Sequence, residues 1–319
     1  MDTAIPLNSR MQGLWRQALL AVTGALLLAT TNTGCAVRKI AVNKLGNALA
    51  SGGTTYASDN DPELIRDAVP FSLKLMESLL EESPKHRGLL LATSKGFTEY
   101  SFAFVQEDAD EMESMNLAAA KRLRARARLL DLRARDYGLR GLEVRHPGFA
   151  RDVRRNPVAA VGRVTSAKEV PLLYWTAASW GEAISLSKDD PDLIADQPIV
   201  EALIDRAYKL DPGYDNGAIE SFLITYEPNR QGEKGDPSVR AREHFDRAVA
   251  LSHGHLAGPY VSLAEAVSIQ KQDRAEFQSL LNRALAVDPN VQPEWRLENL
   301  VMQRRARWLL VRVDELFVE

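Results

Sequence analysis

Ala207-Tyr208-Lys209-Leu210-Asp211-Pro212 returns downstream as Ala284-Leu285-Ala286-Val287-Asp288-Pro289. In each run a small residue begins the last turn of a helix and an Asp-Pro pair stops it. Proline has no amide hydrogen to give, and its ring clashes with the turn before it. The aspartate ahead of it is pushed out of the α region as well, so both runs read as helix C-termini. Between them Ala241, Phe245 and Ala248 set small, large and small side chains at spacings of 4 and 3. Such a stripe lets a second helix pack closely against it. The pattern therefore predicts antiparallel helix pairs rather than isolated helices.

Outward from these runs, the apolar period stays helical almost throughout. Asp61-Pro62-Glu63 is a helix start: Asp as cap, proline at the first helical position, and acid in the first turn. Pro70 is expected to kink this helix. Leu90, Thr93, Phe97, Tyr100 and Phe104 make one continuous face of the next. A long helix is expected near 117–145 and short pieces around 148–163. Further helices follow near 170–187, 197–210, 216–226, 237–252, 257–269, 273–287 and 293–317. Alternating strand patterns are absent, so the fold class is all-α, with helix pairs stacked as an α-solenoid or a compact helical array.

The Ala-x-x-x-Asp-Pro ends, the Ala241/Phe245/Ala248 stripe and the Trp175, Ala178, Ser179 helix start resemble tetratricopeptide repeats. Ala207, Ala248 and Ala284 lie 41 and 36 residues apart, against about 34 in the standard repeat. The loop Glu227-Pro228-Asn229-Arg230-Gln231-Gly232-Glu233-Lys234-Gly235 accounts for the longer interval.

Composition agrees with this reading and narrows the function. The chain has 319 residues, 45% hydrophobic and 26% charged, with a net charge of −3, one cysteine and 7% aromatic residues. A near-neutral chain is not a bulk nucleic-acid binder, and one cysteine allows no intramolecular disulfide. Arg10 and Arg16 precede the uncharged run Leu19–Ala29. That run is too short to span a bilayer, which takes about 20 residues. With the small residues beyond it, it has the parts of a secretory signal peptide. Thr33-Gly34-Cys35 then resembles the lipobox of bacterial lipoproteins, departing from it at Asn32. This predicts a signal peptide over 1–34 and an acylated N-terminus at Cys35. A flexible tether is expected over 35–60 and the helical domain over 61–319. Ala36, with no aspartate after the cysteine, favours the outer membrane on its periplasmic side, by resemblance to sorted lipoproteins.

A closer resemblance rests on Ser51-Gly52-Gly53 with Asp59, Asp61-Pro62-Glu63-Leu64, and Leu73-Lys74-Leu75-Met76-Glu77-Ser78-Leu79-Leu80. It continues in Tyr137-Gly138-Leu139-Arg140-Gly141-Leu142, Leu173-Tyr174-Trp175-Thr176-Ala177-Ala178, and Ser185-Leu186-Ser187-Lys188-Asp189. Together these resemble the TRAP-transporter TatT component family over essentially the whole mature chain. The resemblance implies a periplasmic lipoprotein that works beside the solute-binding protein of a tripartite ATP-independent transporter. A general envelope scaffold without a small-molecule ligand is the alternative, and self-association stays open.

The segment Val170–Leu186 carries a single charge, Glu182, among large apolar residues. A helix apolar on two faces is covered on both, so Glu182 is expected to pair with an arginine of a neighbouring helix or to face a ligand. Phe97, Tyr100, Phe104, Tyr174, Trp175 and Trp180, with Glu182, are candidates for core or for the wall of a cleft that takes an apolar or carboxylate ligand. Arg122, Arg126, Arg133 and Arg140 share a face of the long helix. They form a solvated basic patch, or one that docks an acidic partner or anionic lipid. Export and the scarcity of nearby aromatics argue against nucleic acid. His244, His253 and His255 show no metal spacing, and neither a cofactor fingerprint nor a catalytic motif occurs. The chain does not read as an enzyme.

Overall fold

The structure, a computed structural model, describes residues 42–49, 54–230, 232 and 234–318. The signal segment 1–34 and Cys35 lie outside the described residues. All regular structure among the described residues is helical. In chain order the helices are α1 (42–49), α2 (Pro62–Glu82), α3 (Arg87–Tyr100), α4 (Glu107–Met112), α5 (Leu117–Glu143), α6 (Phe149–Arg155), α7 (Pro157–Gly162) and α8 (Val170–Ser185). They continue as α9 (Pro191–Ile194), α10 (Gln197–Leu210), α11 (Tyr214–Tyr226), α12 (Pro237–Leu251), α13 (Gly258–Leu263), α14 (Arg274–Ala286), α15 (Arg296–Val311) and α16 (Val313–Leu316).

The starts and stops follow local chemistry. The Asp61 carboxylate accepts from the amides of Glu63 and Leu64 and caps α2. Asn116 does the same for α5 through the Ala119 amide. The Asp-Pro ends hold: α10 stops at Leu210, where Asp211 donates its amide to the Ala207 carbonyl, and α14 stops at Ala286. Pro70 lies inside α2, which continues through it from Pro62 to Glu82 as expected. One expectation is corrected. Residues 42–49, expected within a flexible tether, are helical: Val42 and Leu49 pack on the N-terminal core, and the Ser83 hydroxyl donates to Asn43.

Three apolar clusters follow one another along the chain. One joins α2, α3 and α5 around Leu73, Leu89, Leu90 and Phe97. A second joins α5, α8 and α10 around Leu142, Phe149, Trp180 and Leu203. The third joins α12 to α15 around Phe245, Leu263, Phe277 and Leu309. The α5–α8 approach sets the tightest steric demand. A Cβ at Gly138 would sit 2.2 Å from the Thr176 hydroxyl, so only glycine lets these helices meet.

The start of α15 also touches the turn before α2. The Leu297 amide donates to the Ala57 carbonyl and the Arg296 guanidinium to Ser58, at 2.9 and 2.6 Å. Leu297 packs on the N-terminal cluster while Phe102 packs on the C-terminal one. The firmest link is ionic. Arg304 binds Asp108 and Glu111 of α4, and the buried Arg305 binds Glu107 and Asp110 of α4 and Glu265 after α13. Each of the two segments facing Arg305 carries a π-helical stretch, Ser101–Gln106 and Ala264–Ser268. A π-turn shifts the helix that follows it by part of a turn. Here Glu107 immediately follows one such stretch and Glu265 lies within the other.

Replacing Arg305 with leucine strands Glu107, which is wholly buried. Removing one partner of a buried ion pair costs about 3–5 kcal/mol. Urea unfolding of Arg305→Leu is expected to show a loss of that size, with Arg304→Leu costing less because Arg304 is more exposed.

Candidate functional site

Residues of α3, α8 and the start of α11 come together beside Glu298 of α15, whose charge acts on Glu99 and Lys95. Lys95 and Glu99 sit one turn apart on α3, with nitrogen and oxygen 3.6 Å apart. The Lys95 ammonium lies 5.3 Å from the ring centre of Trp175 on α8. Tyr174 meets Trp175 edge-on at 5.0 Å and Tyr214 at 5.4 Å, so three aromatic rings form a wall. Asp215 follows Tyr214, and Glu298 comes from α15.

Accessibility and electrostatics together characterise this place. Half of the Glu99 side chain, 51%, is open to solvent. Even so, burial pushes its carboxyl up, against the pull of Lys95. Glu298 is exposed, yet burial and the charges of Asp215 and Glu99 push it up to about 7. A group on an open surface keeps its ordinary value, because water screens it. These carboxylates are reached by water and still feel partial desolvation from the protein around them. The phenols agree: burial drives Tyr174 well above its usual value and Tyr214 up to about 12. Lys95 is pushed up as well, which for a cation means held charged, first by Glu99 against the cost of burial and then by Asp215. It is the only base among these acids in the described residues.

The position of Asp215 is bought with backbone strain. Asp215, Asn216 and Gly217 adopt φ values of 46°, 54° and 98°, three left-handed residues in a row. A non-glycine residue there costs on the order of 1–2 kcal/mol. Gly217 cannot be replaced cheaply, since a Cβ would come 3.2 Å from the Ala248 backbone. The kink turns Tyr214 and Asp215 away from the axis of α11 and into the neighbourhood of Lys95 and Tyr174.

Glu182 lies two turns along α8 from Trp175, on the same face. It forms no ion pair with a described residue. Burial pushes it up to about 7, opposed by the charge of Arg305 at longer range. Behind it, Asp131 of α5 is 1% exposed, with neither carboxyl oxygen hydrogen-bonded. The nearby Ser101 hydroxyl donates instead to the Ala127 carbonyl at 3.0 Å. Burial, then the charge of Glu182, pushes Asp131 up to about 9, so it is a neutral acid at pH 7.

The residues expected from sequence separate into two groups. Tyr174 and Trp175 stand with Lys95 and Tyr214, whereas Glu182 lies two turns further along α8, within reach of the charges of Arg305 and Asp110. Phe97, Tyr100 and Phe104 are buried in the α2–α3–α5 core, where they leave no wall for a ligand. Trp180 is also core: it is wholly buried and gives its indole N–H to Asp196 at 3.2 Å. In the arginine row, Arg122 is exposed. Arg126 lies over Tyr100, Arg133 over Phe97 and Arg140 over Tyr137, with cation–ring distances of 5.8, 5.3 and 5.0 Å. The row thus lies across the edges of core rings. Lys95, Glu99, Tyr214, Asp215 and Glu298 were not legible as site residues. No group of three potential metal ligands occurs among the described residues.

Asp131 gives a test of the desolvated interior. Its folded pKa is raised, so its protonated form is the native one. Its stability contribution is intact below about pH 4 and is lost as pH rises toward 9. Asp131→Asn is expected to stabilise the protein at pH 7, by about 4 kcal/mol at most, with the gain vanishing near pH 4. Thermal unfolding at the two pH values checks this.

The sequence model of the TRAP transporter T-component family matches residues 58–317. A Treponema pallidum (strain Nichols) protein, described only as uncharacterised, is 28% identical over 321 residues, covering 95% of this chain and 98% of its own.

Proposed function

The chain belongs to the TRAP transporter T-component family, which gives it an accessory role in TRAP transport, and from that premise we propose a periplasmic lipoprotein that docks the transporter's solute-binding protein. The observation that carries this reading is the extent of the match: it runs from the turn before α2 into the last helix, so it includes every element of the candidate site. A family relationship over one helix pair would speak only for a repeat; this one takes in all of those helices. The aromatic wall of Tyr174, Trp175 and Tyr214 supports a further part of the reading, receipt of the ligand that the solute-binding protein carries. Three rings beside partly desolvated carboxylates are the kind of surface that holds a small molecule.

Membrane attachment through Cys35 belongs to the same proposal. It rests on the short apolar run Leu19–Ala29, the small residues after it and the lone thiol. Two or more acyl chains hold a protein stably at a bilayer, whereas one does not. The arginine row Arg122, Arg126, Arg133 and Arg140 is the surface proposed to meet an acidic partner or anionic headgroups.

Affinity purification of the acylated protein after mild cross-linking of whole cells tests the docking. Recovery of the TRAP solute-binding protein is the expected result. Repeated recovery of other envelope proteins without it points to a general scaffold instead. For the anchor, Cys35→Ala is expected to abolish fatty-acid labelling and move the protein to the soluble fraction; persistent labelling refutes the assignment.

A further inference from the structure

Beyond its first turn, the exposed positions of α5 hold Lys121, Arg122, Arg126, Arg133 and Arg140 but only one acid, Asp136, which Arg135 already binds. At 3.6 residues per turn, Arg122, Arg126, Leu129, Arg133 and Arg140 fall within about 60° of one another, in a row about 27 Å long. Other arginines of this helix are engaged inside the protein, Arg124 by Asp110 and Glu113, Arg128 by Asp190. Arg122, Arg126 and Arg140 make no ion pair with a described residue. Arg133 reaches Glu77 at 3.7 Å, an acid that Lys74 also binds.

The row is held in place without being neutralised. Arg126, Arg133 and Arg140 lie over the rings of Tyr100, Phe97 and Tyr137. A ring face attracts a cation but carries no net charge of its own. Leu129 stands in the middle of the row, 63% exposed. A basic stripe with an open leucine at its centre matches a bilayer surface, where phosphates lie over an apolar layer. An acidic patch on a partner protein answers the charge alone.

The chain ahead of the helices is the second observation. Cys35 lies seven residues before Val42 of α1, at most about 25 Å of extended chain. Residues 36–49 add Arg38, Lys39 and Lys44 and no acid. Gly46 of α1 lies against Leu89 near the start of α3, and Arg87 of that start donates to the Gly141 carbonyl. The N-terminal segment therefore joins the fold beside the Arg140 end of the row.

We propose that this face of α5 lies on the anionic bilayer surface that holds the acyl chains of Cys35, with Arg122, Arg126, Arg133 and Arg140 meeting lipid phosphates and Leu129 dipping between them. This rests on the reading of Cys35 as the acylated anchor, and it names the side of the protein that the membrane meets. Guanidinium groups suit the task, because each presents paired donors to phosphate oxygens. Attraction to the surface fades within a Debye length, about 8 Å, so the row orients a protein that its acyl chains already keep near. Gly138, which meets Thr176 of α8, lies on the far side of α5, about 160° round from Arg122. With the row on the lipid, α8 and the helices packed behind it stand away from the membrane, toward a periplasmic partner.

The mature acylated protein carrying Leu129→Cys, labelled with an environment-sensitive dye, tests the contact in vesicles. Acylation blocks Cys35, and the unsubstituted chain supplies the dye background. Val239→Cys on α12, at a position 53% exposed, is the reference. In vesicles of phosphatidylglycerol and phosphatidylcholine, quenching by spin-labelled headgroups is expected to be roughly threefold stronger at 129 than at 239. It is expected to fall by about half or more in pure phosphatidylcholine or at high salt. Arg122→Gln with Arg140→Gln is expected to lower it as much while the protein stays on the vesicles, thermal unfolding showing that the variant is folded. Equal quenching at the two positions overturns the proposal, as does quenching at 129 that ignores phosphatidylglycerol and salt. So does photo-cross-linking from position 129 in whole cells to an envelope protein instead of lipid, since the row is then a protein interface. Fatty-acid labelling of Cys35 without lipid contact at 129 overturns this face alone. Salt-sensitive contact at 129 in a protein that takes no fatty acid overturns the anchor alone.

Discussion

Arg305 is the constraint on which the rest of the structure depends. It lies on the penultimate helix and binds Glu107 and Asp110 of α4 and Glu265 after α13. The apolar clusters hold neighbours along the chain together, but only a few apolar contacts join the first to the last. A buried guanidinium suits that task, since its fixed fork of donors can satisfy several carboxylates at once. Mutual attraction in a desolvated place keeps Arg305 strongly protonated, led by Glu265 against the cost of burial. Glu107 shows the other half of the balance: burial pushes it up to about 7, although Arg305 pulls it down. The junction is directional. Burial of apolar surface alone would not fix the angle at which α15 meets α4.

Packing also gives several acids their character. Glu99, Glu298 and Glu182 would be ordinary surface carboxylates on separate helices. In the folded chain burial pushes Glu99 and Glu298 up with help from Asp215, while burial pushes Glu182 up between the opposing charges of Arg305 and Asp110. The strained backbone at Asp215, Asn216 and Gly217 belongs to the same arrangement, because it places one more acid where a regular helix start would point it elsewhere. Strain of this kind persists only where the surroundings over-determine it, and such sites are commonly functional.

The sequence made part of this legible. Glu182 stood out as the one charge in a helix apolar on two faces, and it forms no ion pair with a described residue although the charge of Arg305 reaches it. Several aromatics expected beside it are core, because Phe97, Tyr100 and Phe104 share a stripe with Leu90 and Thr93 that the α5 helix covers. Lys95 and Glu99 were hidden by their ordinariness: an acid and a base four residues apart on a helix read as a solvated pair. Asp215-Asn216-Gly217 did carry a signal, since Asp, Asn and Gly are the residues that tolerate left-handed backbone. Nothing local marked Glu298, whose neighbours in space come from helices far away in sequence.

By itself the sequence determined the helices, their ends and the family. These follow from local physics: a 3.6-residue apolar period, aspartate and asparagine caps, and prolines that forbid continuation. Only the tertiary structure decided that α15 meets α4 and the turn before α2, and therefore which charged groups share a space. Ion pairs between residues nearly two hundred positions apart leave no periodic trace, since an arginine among other arginines on α15 looks the same whether it meets water or Glu107. The desolvation that pushes Glu99, Glu182 and Glu298 up is a property of the packed helices together, not of any one segment.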